Sequence, residues 1–159
     1  MSEPTAKSAA VNILARCDKS CAALAQQLLQ KGFDDVAVDE AVSWALALGY
    51  LDDQRLAEAI LRSQTAKLHG PAKVEQALQL KGISKQLAAQ VLNNADVDWF
   101  AMAEQRLQRK FSNVVPTKDF QAKQKQQAKM LRHLLGQGFN FEQANYALSN
   151  HLSDFLLAD

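Results

Sequence analysis

Gly32, Gly82 and Gly138 each end an amphipathic stretch, and each is followed at once by a bulky apolar residue, Phe33, Ile83 or Phe139. A leucine stands four residues ahead of each glycine (Leu28, Leu78, Leu134) and another apolar residue eight ahead (Leu24, Val74, Met130). An aliphatic side chain follows ten residues after each (Val42, Leu92, Leu148). The phrase recurs at intervals of roughly fifty residues, a period that marks stacked helical modules rather than one globule around a pocket.

Composition supports helix. Of 159 residues, 48 % are hydrophobic, with only six glycines and three prolines among many Ala, Leu, Gln and Lys. No segment alternates with period two over a strand length, so essentially no sheet is expected. The apolar spacing predicts about nine helices in three groups of three. In the first group, 1–49, a helix over about Ala6 to Arg16 carries Val11, Leu14 and Ala15 on one side. Ser20 caps the next helix, with Leu24, Leu28 and Leu29, and Asp34 or Asp35 starts the third, with Val38, Val42 and Leu46. In the second group, 50–95, Asp52 or Asp53 starts a helix with Leu56, Ile60 and Leu61. Gly70-Pro71 opens the next, where proline suits the first helical position, and Ser84 caps a short third. In the third group, 96–159, Asp96 starts a helix with Trp99, Met102, Ala103, Arg106 and Leu107 at helical spacing. Ser112 to Pro116 forms a loop, Thr117 caps a long basic helix through Leu135, and Asn140 with Gln143 forms a capping box for the last helix. Phe155 to Leu157 either extends that helix or frays. The expected fold is an all-α, elongated tandem array of three helix-turn-helix-like modules.

The net charge of +1 conceals polarity along the chain. From Asp34 to Glu58, seven acids face Arg55 alone. Between Arg62 and Lys85 the balance reverses, with Arg62, Lys67, Lys73, Lys81 and Lys85 against Glu75. From Glu104 to His133, Arg106, Arg109, Lys110, Lys118, Lys123, Lys125, Lys129 and Arg132 face only Glu104 and Asp119. The tail after Asn140 has Glu142, Asp154 and Asp159 and no Lys or Arg. Such a chain can present a positive surface to a polyanion or an acidic protein.

The stretch Gly49 to Ile83 reads GYLDDQRLAEAILRSQTAKLHGPAKVEQALQLKGI. Its Gly49-Tyr50-Leu51-Asp52-Asp53 start, Arg55-Leu56-Ala57, Arg62-Ser63, Gly70-Pro71, Leu78 and Lys81-Gly82-Ile83 resemble the central part of the RecX family. Arg109, Lys110 and Phe111 are similar to the family's basic-aromatic turn, and Lys123, Lys125, Leu134, Leu135, Gly138 and Phe139 to its Lys-rich last segment. Leu56 departs from the usual Phe and Gln137 from the usual Arg. The first group matches through Arg16, Ser20, Leu24, Leu28, Gly32 and Phe33, so the likeness runs from about Arg16 to Leu148. The resemblance implies a regulator that binds the RecA recombinase along the groove of the RecA–DNA filament. It would block filament growth or destabilise filaments, and so inhibit ATP hydrolysis, strand exchange and coprotease activity. It further implies a protein that is not an enzyme.

Residue chemistry weighs the same way. Asp52 and Asp53 could form a carboxylate pair, but a helix start explains both, since aspartates there accept orphan N–H groups and complement the dipole. Gly70-Pro71 lacks the following glycine-rich or Walker lysine pattern of a phosphate loop. Cys17 and Cys21 lie four apart on an expected helix, too few for a disulfide framework or a four-ligand zinc site, and His69, His133 and His151 show no ligand spacing. Ser63, His69 and Asp52 do not converge on helical spacing, so no catalytic triad is expected, and no cofactor. Trp99 is assigned to the core and Phe100 left as a possible stacking contact. Lys118, Lys125, Lys129 and Arg132 recur at spacings that bring them to one face of the long helix.

The expected working surface toward RecA, DNA or both is therefore Arg62, Lys67, Lys73, Lys81, Lys85, Arg109, Lys110, Lys118, Lys123, Lys125, Lys129 and Arg132. A solvated charged face is the plainer account of these bases, weakened by the scarcity of interleaved acids. Two rivals stand beside it. One is a helix-turn-helix protein reading duplex DNA without RecA, for which only Lys85, Gln86 and Gln90 suit a recognition helix. The other is a structural adaptor without nucleic-acid contact. No apolar run approaches a membrane span of about 20 residues, and no signal peptide begins the chain, so a cytoplasmic monomer without membrane contact is expected.

Overall fold

A computed structural model describes residues 3–157, with side chains to residue 151. Asp159 and the side chain of Asp154, two acids of the expected acidic tail, lie outside the described residues. Nine helices and no strand occur among the described residues: α1 Ala6–Arg16, α2 Cys21–Gln30, α3 Asp35–Ala47, α4 Asp53–Ala66, α5 Pro71–Leu80, α6 Lys85–Asn93, α7 Trp99–Lys110, α8 Phe120–Gly136 and α9 Phe141–Leu157. The last helix thus takes in Phe155 to Leu157.

The recurring Leu-x-x-x-Gly-apolar phrase is a helix stop with a defined bond pattern. Phe33, Ile83 and Phe139 donate their N–H groups to the carbonyls of Leu28, Leu78 and Leu134, at 3.3, 3.0 and 3.2 Å. These are the long bonds of the motif that closes a helix around a left-handed residue. The intervening Gly32, Gly82 and Gly138 supply it, with φ of 100, 84 and 97°. Each leucine therefore has two tasks: its carbonyl closes the turn, and its fully buried side chain fills the core.

Packing divides the chain into two compact units, Met1–Leu61 with Ala77–Asn93, and Arg62–Gln76 with Asn94–Asp159. In the first unit α1 lays Ala6, Ala9, Ala10 and Ile13 against Leu24 and Leu28 of α2 and Val38, Ala41 and Ala45 of α3. Ser20 caps α2 by accepting from Ala23 N–H at 3.0 Å, and Asp34 caps α3 through Ala37 N–H at 2.8 Å. Asp52 caps α4 through Arg55 N–H, and Asp53 reaches across to accept from Cys21 N–H, an orphan donor in the first turn of α2, at 2.9 Å. Both aspartates are thus engaged at helix starts. The Gly82 turn sits directly on the Ser20 hydroxyl.

The second unit has the same kind of joint. Gly70 N–H donates to Gln137 C=O at 2.8 Å and Ala72 N–H to Gly138 C=O at 3.0 Å, so the α8–α9 turn docks on the start of α5. A Cβ on Gly70 or Gly138 would collide with the opposing backbone. Ala103, Leu107 and Phe111 of the α7 end, Met130 and Leu134 of α8, and Phe139, Ala144, Ala147 and Leu148 form the core. The Asn140–Gln143 capping box is made in both directions, at 2.9 and 2.8 Å.

Several expectations need correction. Val11, Ala15 and Leu46 are exposed, because the buried stripes of α1 and α3 are built largely of alanines, and Leu29 of α2 is exposed beside fully buried Leu28. Asp98, not Asp96, caps α7, accepting from Ala101 N–H at 3.1 Å. Asp119, not Thr117, caps α8, so Lys118 lies before the helix and not on a face with Lys125, Lys129 and Arg132. Cys17 and Cys21 share no helix: Cys17 ends α1, exposed, and Cys21 begins α2. Trp99 is only half-buried, while Phe100, exposed, stacks edge-on against Tyr146.

Candidate functional site

Chain order scatters the bases of the second unit; folding gathers part of them. The turn between α4 and α5 places Lys67, Leu68 and His69 beside Arg106, Arg109 and Lys110 of α7. Ala66, Lys67, Leu68, Arg106, Arg109 and Lys110 line a cleft of about 230 Å³. A second cleft of about 580 Å³ shares Ala66, Leu68 and Arg109 with it and adds Arg62, Asp96, Val97, Asp98 and Met102.

Arg106 anchors the first cleft. Its Nη1 donates to the Lys67 carbonyl at 3.0 Å and its Nε to His133 Nε2 at 3.2 Å. An arginine cannot accept, so the His133 nitrogen facing it is the unprotonated one. The His133 ring is also wedged edge-on against Phe111, with centroids 5.6 Å apart. Leu68 has a left-handed backbone, φ 59°, although it is neither glycine nor asparagine. That conformation costs a branched residue about 1–2 kcal/mol and is retained here with the side chain buried. The Lys67 carbonyl that meets Arg106 immediately precedes this strained residue.

Electrostatics follow from the gathering. Burial first, then Lys73, Arg106 and Lys67, hold the His69 imidazole below the ordinary histidine range. Burial first, then Arg106, Lys110 and Lys73, do the same to His133. His69 Nδ1 lies 2.6 Å from Gln64 Oε1, an oxygen that only accepts, which assigns the proton of the neutral ring to Nδ1. Lys73 Nζ donates to Gln137 Oε1 at 3.3 Å. Two uncharged imidazoles therefore sit in a field of fixed cations.

Of the bases expected to work, Arg62, Lys67, Lys73, Arg109 and Lys110 belong to this neighbourhood. Lys125, Lys129 and Arg132 form an exposed row on α8, a helix without a single acid, and Lys123 projects from another side of it. Lys118 is exposed in the turn before α8. Lys81 and Lys85 lie in the other unit, exposed at the end of α5 and the start of α6. The helix dipole favours the first position and disfavours the second. Arg106, His69 and His133 are the residues that sequence reasoning missed. The available signal was a base, Arg106, on the otherwise apolar inward stripe of α7. No group of three His, Cys, Asp or Glu side chains that could hold a metal ion occurs among the described residues.

Two family models match the chain: the RecX first three-helix domain over residues 6–44 and the RecX second three-helix domain over residues 52–92. The regulatory protein RecX of Vibrio vulnificus is 36 % identical over 144 residues, covering 91 % of each chain. The chain belongs to the RecX family. The regulatory protein RecX of Vibrio parahaemolyticus is 33 % identical over 145 residues, covering 91 % of this chain and 90 % of its own. The crystal structure of RecX from Lactobacillus salivarius superposes with a TM-score of 0.74 at 18 % identity, over 96 % of this chain and 95 % of that one, a likeness of fold. The three-helix domains of the RecX family models correspond to α1–α3 and α4–α6, and no described helix is long and apolar enough to cross a membrane.

Proposed function

We propose that this RecX-family chain is a regulator that binds RecA and the RecA–DNA filament in the cytoplasm. It inhibits RecA ATP hydrolysis, strand exchange and coprotease activity by blocking filament growth or destabilising filaments. The helix triplets 1–49, 50–95 and 96–159 serve as binding modules of one monomer. Contacts spread over several modules raise affinity by effective concentration, without one deep pocket. The working surface is basic: Arg62, Lys67, Lys73, Arg109 and Lys110 around the cleft, the α8 row Lys125, Lys129 and Arg132, and Lys123, Lys118, Lys81 and Lys85.

The observation that carries this reading is the convergence of cations on Arg106 in a chain of this family, with no acid in the lining of that cleft. Such an arrangement meets acidic protein surface or DNA phosphate, and its lining contains no nucleophile with a partnered base. The deciding experiment is a RecA ATPase assay on single-stranded DNA with substoichiometric protein. Hydrolysis should fall and filaments shorten; unchanged hydrolysis and filament length would remove the proposal. Charge reversal at Lys125, Lys129 and Arg132 should weaken inhibition, and intact inhibition and DNA affinity would move the working surface elsewhere.

The duplex-reading alternative has one supporting observation, the exposure of Lys85, Gln86 and Gln90 on α6. Sequence-selective duplex binding that survives moderate salt would favour it; weak, salt-sensitive binding points to backbone contact.

A further inference from the structure

We propose that the cleft between the α4–α5 turn and α7 binds a phosphodiester of a single-stranded nucleic acid, with Lys67, Arg106, Arg109 and Lys110 as its donors. The inference rests on the regulatory reading above and assigns its nucleic-acid contact to one place.

Four of the six lining residues are cationic and none is acidic. At about 30 Å³ of liquid volume per water, the cleft of about 230 Å³ has room for a partly solvated oxyanion. Arg106 is held in place before any ligand arrives. Its bonds to Lys67 C=O and His133 use two of the five N–H groups of a guanidinium. The remaining donors form a fixed fork of the kind that recognises phosphate oxygens in pairs. Leu68, strained and buried, lines both clefts.

The neighbouring cleft decides for a nucleotide over a carboxylate. It shares Arg109 with the first, then passes to Val97, Ala101 and Met102, an apolar strip bordered by Arg62, Gln105 and the carboxylates Asp96 and Asp98, the latter engaged in capping α7. A nucleotide offers both a charge for the first cleft and a flat apolar base for the second. An aspartate or glutamate of a protein partner offers only the charge.

The anion has a further effect on the two imidazoles. His133 is faced by Arg106, Lys110 and Lys73, and by the Phe111 ring. His69 is faced by Lys73, Arg106 and Lys67, with Gln64 on Nδ1. A phosphate in the cleft offsets those cations, so protonation of either ring becomes easier in the complex. A proton on His133 Nε2 also removes the acceptor of Arg106 Nε and frees that donor for the ligand. Binding therefore takes up protons and strengthens as the solution is acidified.

The test uses the full chain and a fluorescent oligothymidylate, with anisotropy followed from about 50 to 200 mM salt and from about pH 7.5 to 6. The double variant Arg109→Gln, Lys110→Gln changes two exposed side chains, so helix content should be retained. Its plot of log affinity against log salt should be shallower by about 1.4, since each phosphate contact on a single strand contributes about 0.7. Arg106→Lys keeps the charge but loses the fork, and should weaken binding severalfold at unchanged slope. The His133 ring proton, followed by NMR, should titrate at higher pH with the oligonucleotide than without. An unchanged slope in the double variant, or an unmoved His133 titration, overturns the proposal. Equal competition by polyglutamate at matched charge also overturns it, in favour of an acidic protein surface. RecA ATPase inhibition by the wild-type chain, measured in parallel, separates the two levels. If inhibition persists while the slope is unmoved, only the cleft assignment fails; if inhibition is absent, the regulatory reading fails whatever the cleft binds.

Discussion

Gly82 and Ser20 compete for one space: the Ser20 hydroxyl occupies the volume that a Cβ on Gly82 would need. Ser20 is fully buried and its oxygen is fixed, because it caps α2. Gly82→Ala should therefore lower stability by about 2–3 kcal/mol, from the left-handed backbone and the collision together. Gly32→Ala meets no neighbour and should lose only about 1 kcal/mol. Urea denaturation of both variants checks the difference. Combining Ser20→Ala with Gly82→Ala should cost less than the sum of the single changes; strict additivity would mean that the two positions do not compete.

At residue 68 the usual ranking of alanine over glycine should reverse. Both Leu68→Ala and Leu68→Gly lose the buried side chain, but only glycine relaxes the left-handed backbone. Leu68→Gly is expected to be the more stable by about 0.5–1 kcal/mol, measured by thermal or denaturant unfolding. A more stable alanine variant would mean that the backbone there carries no strain.

Cys21 should be the slow thiol. Burial first, then the Asp53 carboxylate, push it from 9.0 up to about 11. Alkylation near pH 8 followed by mass spectrometry should label exposed Cys17 first. Asp53→Asn keeps an acceptor for Cys21 N–H and removes the charge, so labelling of Cys21 should accelerate. The folded chain holds this proton more tightly than the unfolded one. Its contribution to stability is therefore complete below about pH 9 and is lost as pH rises toward 11.

The histidines act in the opposite direction. With His69 and His133 held below 6.5 in the folded chain, the unfolded chain takes up protons first as pH falls. Stability from these groups is complete above about pH 6.5 and declines below it. His133→Gln preserves an acceptor for Arg106 and should flatten that decline. An equally steep loss in the variant would place the acid sensitivity elsewhere.

The helix stops were legible because their chemistry is local: a leucine carbonyl, a glycine and an apolar residue within six positions suffice. The caps at Ser20, Ser84 and Asn140 were legible for the same reason. Thr117 is the expected cap of α8, whereas Asp119 two residues on takes that place: each can accept a backbone N–H, and only the helix register decides between them. The inward face of α1 was misjudged because Val11 is the larger apolar residue, whereas the close approach to α3 selects Ala6, Ala9 and Ala10. The basic neighbourhood was half legible. Charge runs pointed to Arg62, Lys67, Lys73, Arg109 and Lys110. The place of Arg106 on the inward stripe of α7 was visible, but its partner, a carbonyl 39 positions away, is fixed only by tertiary packing.

The docking of a glycine turn onto the residue ahead of an earlier middle helix occurs twice, at Gly82 on Ser20 and at Gly138 on Gly70. The segment from Gly70 to Gly82 therefore carries both a receptor and an insert, a plug and a socket on one piece. Its neighbours in sequence leave one half of that fitting unused: Gly32 meets nothing within 4 Å, and Asp119 ahead of α8 is exposed. The two fittings are not interchangeable: the Gly82 turn rests on a hydroxyl, whereas the Gly138 turn is bonded to the N–H groups at the start of α5. A chain lengthened by repeating its central segment would therefore need a joint this structure does not contain, a Gly82 turn seated on Gly70.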